Sequence, residues 1–135
     1  MRLINEIILH CSDSEIGDVN MIREWHKDRG WSDIGYHYVI LKDGTVQKGR
    51  DLSVQGAHCF GHNKNSVGIC LIGVKTFSQH QFDALMDLIV KIDIEHEITS
   101  VVGHNEYDKT KTCPNFDVRK FLMRFMVKLS MNKNR

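Results

Sequence analysis

Apolar positions along the chain follow two periods, one of strands and one of helices. Ile7-Ile8-Leu9 is a short apolar run within Glu6 to His10, and the polar Cys11-Ser12-Asp13-Ser14 stops it, which predicts a short buried strand. Asp18 then stands at a helix N-cap position, with Val19, Ile22 and Trp25 on one face, Arg29 as the last helical residue and Gly30 as the stop. Gly35 to Leu41 alternates as a strand, placing Tyr36, Tyr38 and Ile40 on one face and His37, Val39 and Leu41 on the other. The Asp43-Gly44 pair favours a tight turn that returns Val46 to Gly49 antiparallel. Val67 to Gly73 is almost wholly apolar and predicts a central strand covered on both faces, with Cys70 in the core.

Further on, Ser78 and Gln81 have capping-box spacing, and Phe82, Leu85, Met86, Ile89 and Ile92 recur behind them at helical intervals. Ile98 to Val102 reads as another strand. Asp117 caps a final helix that turns Val118, Phe121, Leu122, Phe125 and Leu129 inward, and residues 128–135 read as a frayed basic tail. Strands interleaved with amphipathic helices predict an α/β fold: a mixed central β-sheet flanked by helices, in a single domain over residues 1–135. Arg50 to Asn65 obeys neither period, and irregular connections of that length are functional or mobile.

Composition narrows the picture. With 135 residues, 41% apolar and 26% charged, the chain builds one ordinary core. A formal charge of +1 on dispersed basic residues lacks the stripe of a nucleic-acid binder, so no DNA binding is expected. No window approaches the roughly 18–20 consecutive apolar residues of a membrane span, and the start lacks the apolar core of a secretory signal. Synthesis in a cytoplasm without membrane insertion is the expectation, with action outside the membrane needing another export route. Cys11, Cys59, Cys70 and Cys113 then read as thiols or metal ligands rather than disulfides.

The chemistry gathers in Gly103 to Pro114. This charged stretch is too polar for a core strand and has no helical period, so it is a loop, and it carries His104 and Cys113 nine positions apart. Imidazole nitrogen and thiolate sulfur suit zinc, which binds them at about 2.0–2.1 and 2.3 Å in a tetrahedral shell. A third ligand has to come from elsewhere, and His10, at the end of the first apolar run, is the best candidate. His26 reads as a helix-surface histidine, and Trp25 and Trp31 as scaffold.

Taken together, Leu9-His10-Cys11-Ser12, Trp25-His26-Lys27, Arg29-Gly30-Trp31, Gly35-Tyr36-His37-Tyr38, Asn65-Ser66-Val67-Gly68, Gly103-His104 and Cys113-Pro114-Asn115-Phe116-Asp117 closely resemble the type 2 N-acetylmuramoyl-L-alanine amidases. The likeness is greatest to the zinc-amidase lysozymes of T-odd phages and extends more distantly to peptidoglycan recognition proteins. It spans almost the whole chain in the same order. It implies a zinc site in a surface groove, one Zn2+ per chain held by His10, His104 and Cys113. Three protein ligands leave a fourth position open, as in catalytic rather than structural zinc. It also implies Tyr36 and Lys111 as catalytic residues, with hydrolysis of the amide between N-acetylmuramic acid and L-alanine in peptidoglycan, in a phage endolysin that lyses its host. His58 and His62, in the long loop, are the remaining candidates for contacting glycan or peptide, and a monomer is expected.

Two departures from the family pattern matter. The segment between His104 and Cys113 is one residue longer than in the phage relatives, so Lys109 competes with Lys111; Lys111 keeps the family's distance from the cysteine. In the phage lysozyme that also restrains its RNA polymerase, a longer N-terminal segment takes part, whereas this chain starts a few residues before its first strand. Two alternatives to the enzyme are therefore a regulator of a phage RNA polymerase and a non-catalytic peptidoglycan-binding module. Non-catalytic relatives typically lose the cysteine ligand, which this chain keeps beside Tyr36 and Lys111. A zinc nucleoside deaminase is excluded by the missing H-x-E and P-C-x-x-C pair.

Overall fold

The computed structural model describes residues 2–133, with side chains through residue 126. Its elements run β1 (Glu6–Cys11), α1 (Val19–Asp28), β2 (Tyr38–Ile40), β3 (Val46–Lys48), β4 (Ser66–Leu71), α2 (Gln79–His96), β5 (Ser100–Gly103) and α3 (Val118–Lys133). They form the expected mixed sheet flanked by helices, in the order β3-β2-β4-β1-β5. β1 lies between β4 and β5, parallel to both, β2 runs parallel to β4, and only the edge strand β3 is antiparallel.

The apolar runs explain this arrangement. All six residues of β4 are buried, as are the last five of β1, so both strands need cover on both faces. One face carries Ile7, Leu9, Ile69 and Leu71 against Leu85, Ile89 and Ile92 of α2, with Val118 and Phe121 of α3 packed behind. The other carries Val39, Cys70 and Ile72 against Val19 and Ile22 of α1, confirming Cys70 and Trp25 as core and scaffold. Each fully buried Leu or Ile contributes about 1.5–3 kcal/mol of burial energy. Among the described residues no helix is long and apolar enough to cross a membrane.

Helix ends follow their caps. The Asp18 carboxylate accepts from Met21 N–H at 2.8 Å, Ser78 and Gln81 form the reciprocal capping box, and Asp117 accepts from Lys120 N–H at 3.0 Å. Buried Gln81 does a second task, donating its side-chain amide to the carbonyls of Ile40 and Ile72 and so tying α2 to the sheet. α1 closes at the Arg29 cap with Gly30 at φ 90°, where a left-handed backbone suits glycine. The backbone of α3 runs on to Lys133, into the segment read from sequence as a frayed tail; Asn134 and Arg135 lie outside the described residues.

One correction bears on the site. Regular alternation through Gly35 to Leu41 puts Tyr36 with Tyr38 and Ile40, yet the ring of Tyr36 packs with Val39 and Leu41 on the α1 face. The ladder becomes regular only at Tyr38. Upstream, Gly35 O accepts from Ala57 N–H and Tyr36 O from Arg50 N–H, so the chain is tied to the long loop and the two-residue period is lost.

Candidate metal centre

His10 is the fifth residue of β1, and alternation turns it away from Leu9 onto the α1 face, opposite Cys70 of β4. His104 follows Gly103, which pairs with Leu9 across the parallel β1–β5 ladder. Two parallel strands in register therefore deliver two histidines side by side at their C-terminal ends, with ring centroids 4.7 Å apart. That is where α/β sheets bind their ligands.

Cys113 is brought in by the loop. A single 3₁₀ turn over His104–Glu106 starts it, Asp108 accepts from Thr110 N–H and hydroxyl, and Asn105 N–H donates to the Cys113 carbonyl at 2.9 Å. Gly103 permits the closure, since a Cβ there would stand 2.7 Å from Pro114 Cδ. The Cys113 Sγ in turn accepts from Cys11 N–H at 3.0 Å. One donor atom each from His10, His104 and Cys113 lie within 4.8 Å of one another, a set that could hold a metal ion.

The electrostatics suit ligands that bind as neutral imidazoles. Burial, then the neighbouring His58 and His104, hold the His10 imidazole well below its usual range, and burial lowers His104 too. Tyr36, with its ring 5.0 Å from that of His10, is pushed well above the usual phenol range by burial and then by the nearby thiols, so its hydroxyl stays protonated.

His104, Cys113 and Tyr36 open into a groove of about 730 Å³, and His10, 1% exposed, lies behind them. His26, Arg29, Trp31 and Tyr36 line one part of it, and His104, Lys111, Thr112 and Cys113 another, with Phe60 100% exposed at its mouth. Lys111 is in this lining. Lys109 is not; its ammonium lies 3.9 Å from the Glu106 carboxylate. A smaller recess of about 240 Å³ between α2 and α3 is lined by Phe82, Phe116, Phe121 and Phe125 and holds none of these donors.

His58 is in the groove lining but only 8% exposed, and its Nδ1 lies 2.8 Å from His10 Nε2. Three expected positions change. His62 stands outside the groove lining, stacked on Tyr107 with centroids 3.6 Å apart. His26, read as a surface histidine, is buried, and its Nδ1 accepts from Gly35 N–H at 2.9 Å because α1 packs this face onto the sheet. Trp31 is half exposed and lines the groove. Ser66, 3.2 Å from His58 Nε2, was not singled out from sequence. Its signal was Gly68, a glycine inside an apolar strand, which marks close approach by another group; here a Cβ would stand 2.5 Å from the His58 ring.

All four cysteines are free thiols. Alkylation of the denatured, metal-stripped chain is expected to label four thiols by mass spectrometry, and fewer would indicate a disulfide.

Two histidines at the C-terminal ends of parallel strands and a cysteine from the following loop form a donor set that could hold a metal ion, and a tyrosine and a lysine line the groove beside it. A family model described as N-acetylmuramoyl-L-alanine amidase matches residues 1–116. The endolysin of Escherichia phage T7 is 38% identical, over 85% of this chain and 83% of its own. Among solved structures, the N-acetylmuramoyl-L-alanine amidase LysC from Clostridium intestinale superposes with a TM-score of 0.86 at 30% identity, covering 91% of this chain and 85% of that one. A point mutant of Drosophila PGRP-LB, in complex with tracheal cytotoxin, superposes with a TM-score of 0.76 at 28% identity, covering 84% of this chain and 76% of that one. The chain belongs to the N-acetylmuramoyl-L-alanine amidase family. Its activity is the family's: hydrolysis of the amide between N-acetylmuramic acid and L-alanine.

Proposed function

We propose that the groove holds one zinc ion on His10, His104 and Cys113 and cleaves this amide in bacterial peptidoglycan, as the lytic enzyme of a phage. The observation that carries the reading is the convergence of His10, His104 and Cys113, the last two lining one groove with Tyr36 and Lys111. In a tetrahedral zinc shell, two imidazole nitrogens and one sulfur lie about 3.3–3.6 Å apart, by the bond lengths of such sites. Donors already within 4.8 Å reach that spacing by small rotamer shifts. Zinc bound there supplies Lewis-acid polarisation of the scissile carbonyl and a lowered pKa for water beside it.

The chain's own residues supply the rest. Lys111 places a positive charge in the groove, where the carbonyl oxygen becomes negative as the tetrahedral transition state forms. Tyr36, kept protonated, is a hydrogen-bond donor beside His10 that orients either the attacking water or the departing amine. The groove is large enough for a muramyl group with the first residues of its stem peptide.

Digestion of purified peptidoglycan followed by mass spectrometry tests the reading. New free L-alanine amino termini, with no new reducing sugars, are expected. New reducing ends without free alanine would assign a glycosidase instead, and no products with retained binding would leave a peptidoglycan-binding module.

A further inference from the structure

A histidine can hold a metal only through a nitrogen that carries no proton, and the buried groups behind His10 decide which nitrogen that is. Ser66 has one hydroxyl proton, and its Oγ lies 2.7 Å from the carbonyl oxygen of His62, which can only accept. With that proton committed, Ser66 can only accept from His58 Nε2, 3.2 Å away. His58 Nε2 therefore carries the ring proton, and the lone pair of neutral His58 sits on Nδ1. That lone pair is 2.8 Å from His10 Nε2, so His10 donates there, and its Nδ1 is left bare for the cluster with His104 and Cys113.

We propose that Ser66 and His58 form a one-way hydrogen-bond relay that sets the His10 tautomer to Nε2–H and so prepares Nδ1 as the metal-binding atom. Both are positioning residues. Reversing the relay would turn the Ser66 proton toward His58, leave the His62 carbonyl without this donor, and point an N–H of His10 at a cation. Ser66 is fully buried, with His10 and His58 nearly so, so water has little access to re-pair a reversed relay. The scaffold holds the His58 ring in place. A Cβ on Gly68 would meet His58 Cγ at 2.5 Å and one on Gly56 would meet Cδ2 at 2.7 Å, while His58 N–H and Cys59 N–H both donate to Asn63 Oδ1. Arg2 pins the same connection to β4 by donating to the carbonyls of Leu52 and Ser66.

The inference rests on His10 being a zinc ligand, but its test does not require peptidoglycan cleavage. Long-range 1H–15N correlation spectra of the metal-free, 15N-labelled chain are expected to show His10 protonated on Nε2 and bare on Nδ1. A protonated Nδ1 overturns the relay, whatever the variants do. Zinc affinity, measured by chelator competition, is expected to fall about 10–100-fold in His58→Phe, the usual cost of losing a ligand's hydrogen-bond support. His58→Asn puts an acceptor oxygen where Nδ1 stood and is expected to recover most of the affinity. Ser66→Ala leaves every ligand contact intact, yet is expected to yield mixed His10 tautomers and weaker zinc binding. Equal losses in His58→Phe and His58→Asn with the wild-type tautomer retained, or unchanged zinc affinity in folded His58→Phe, would reduce His58 to a packing residue. Normal zinc binding and tautomer in a chain that fails to cleave peptidoglycan would sink the amidase proposal and leave the relay standing.

Discussion

Cys113→Ser is expected to lose zinc and activity together while the metal-free fold survives. The Cys113 thiol accepts from Cys11 N–H, and a serine oxygen can accept from the same donor, so the chain loses little of its own stability, about 1 kcal/mol or less. The metal loses its one anionic ligand. The fall in zinc affinity should therefore exceed the roughly 10–100-fold typical of removing a mere hydrogen-bond support. Two measurements check this: metal content after gel filtration, and the rise in Tm on adding zinc. Zinc at 100 times its Kd stabilises the wild type by about 2.7 kcal/mol, and the variant should show almost none of that at the same concentration. Full zinc occupancy and a normal rate in Cys113→Ser would place the site elsewhere.

Lys111→Ala should do the opposite, keeping zinc and losing rate. If its ammonium meets charge that develops only in the transition state, kcat falls by about 10²–10³, some 2.7–4 kcal/mol, with little change in KM. Lys109→Ala should stay near the wild-type rate, because that side chain is 79% exposed and its ion pair with Glu106 is a surface contact. Zinc content in both variants separates lost chemistry from a collapsed site. An active Lys111→Ala beside an inactive Lys109→Ala would show that the additional loop residue lies between the catalytic lysine and Cys113.

Element identities were legible in the chain because local rules govern them. The Ser78/Gln81 capping box, the apolar runs of β1 and β4 and the Asp43-Gly44 turn each depend on residues a few positions apart, and each appears in the fold. The donors His10, His104 and Cys113 were legible for another reason: a metal accepts few residue types, and these stand at strand ends or in the loop beyond one. What lies between distant segments was not legible. Tyr36 reaches the α1 face only because Arg50 and Ala57 tie down the backbone around it. His26 is buried only because α1 packs that turn against Gly35. Period and motif also describe His58 and Ser66 without showing that they stand in line behind His10. That line exists because parallel β1 and β4 bring Ile8 beside Gly68, whose missing side chain leaves room for an imidazole from a loop far away in sequence. Local sequence determines which face a residue takes within a regular strand or helix; long-range backbone hydrogen bonds and close approach at glycine decide which of those faces meet.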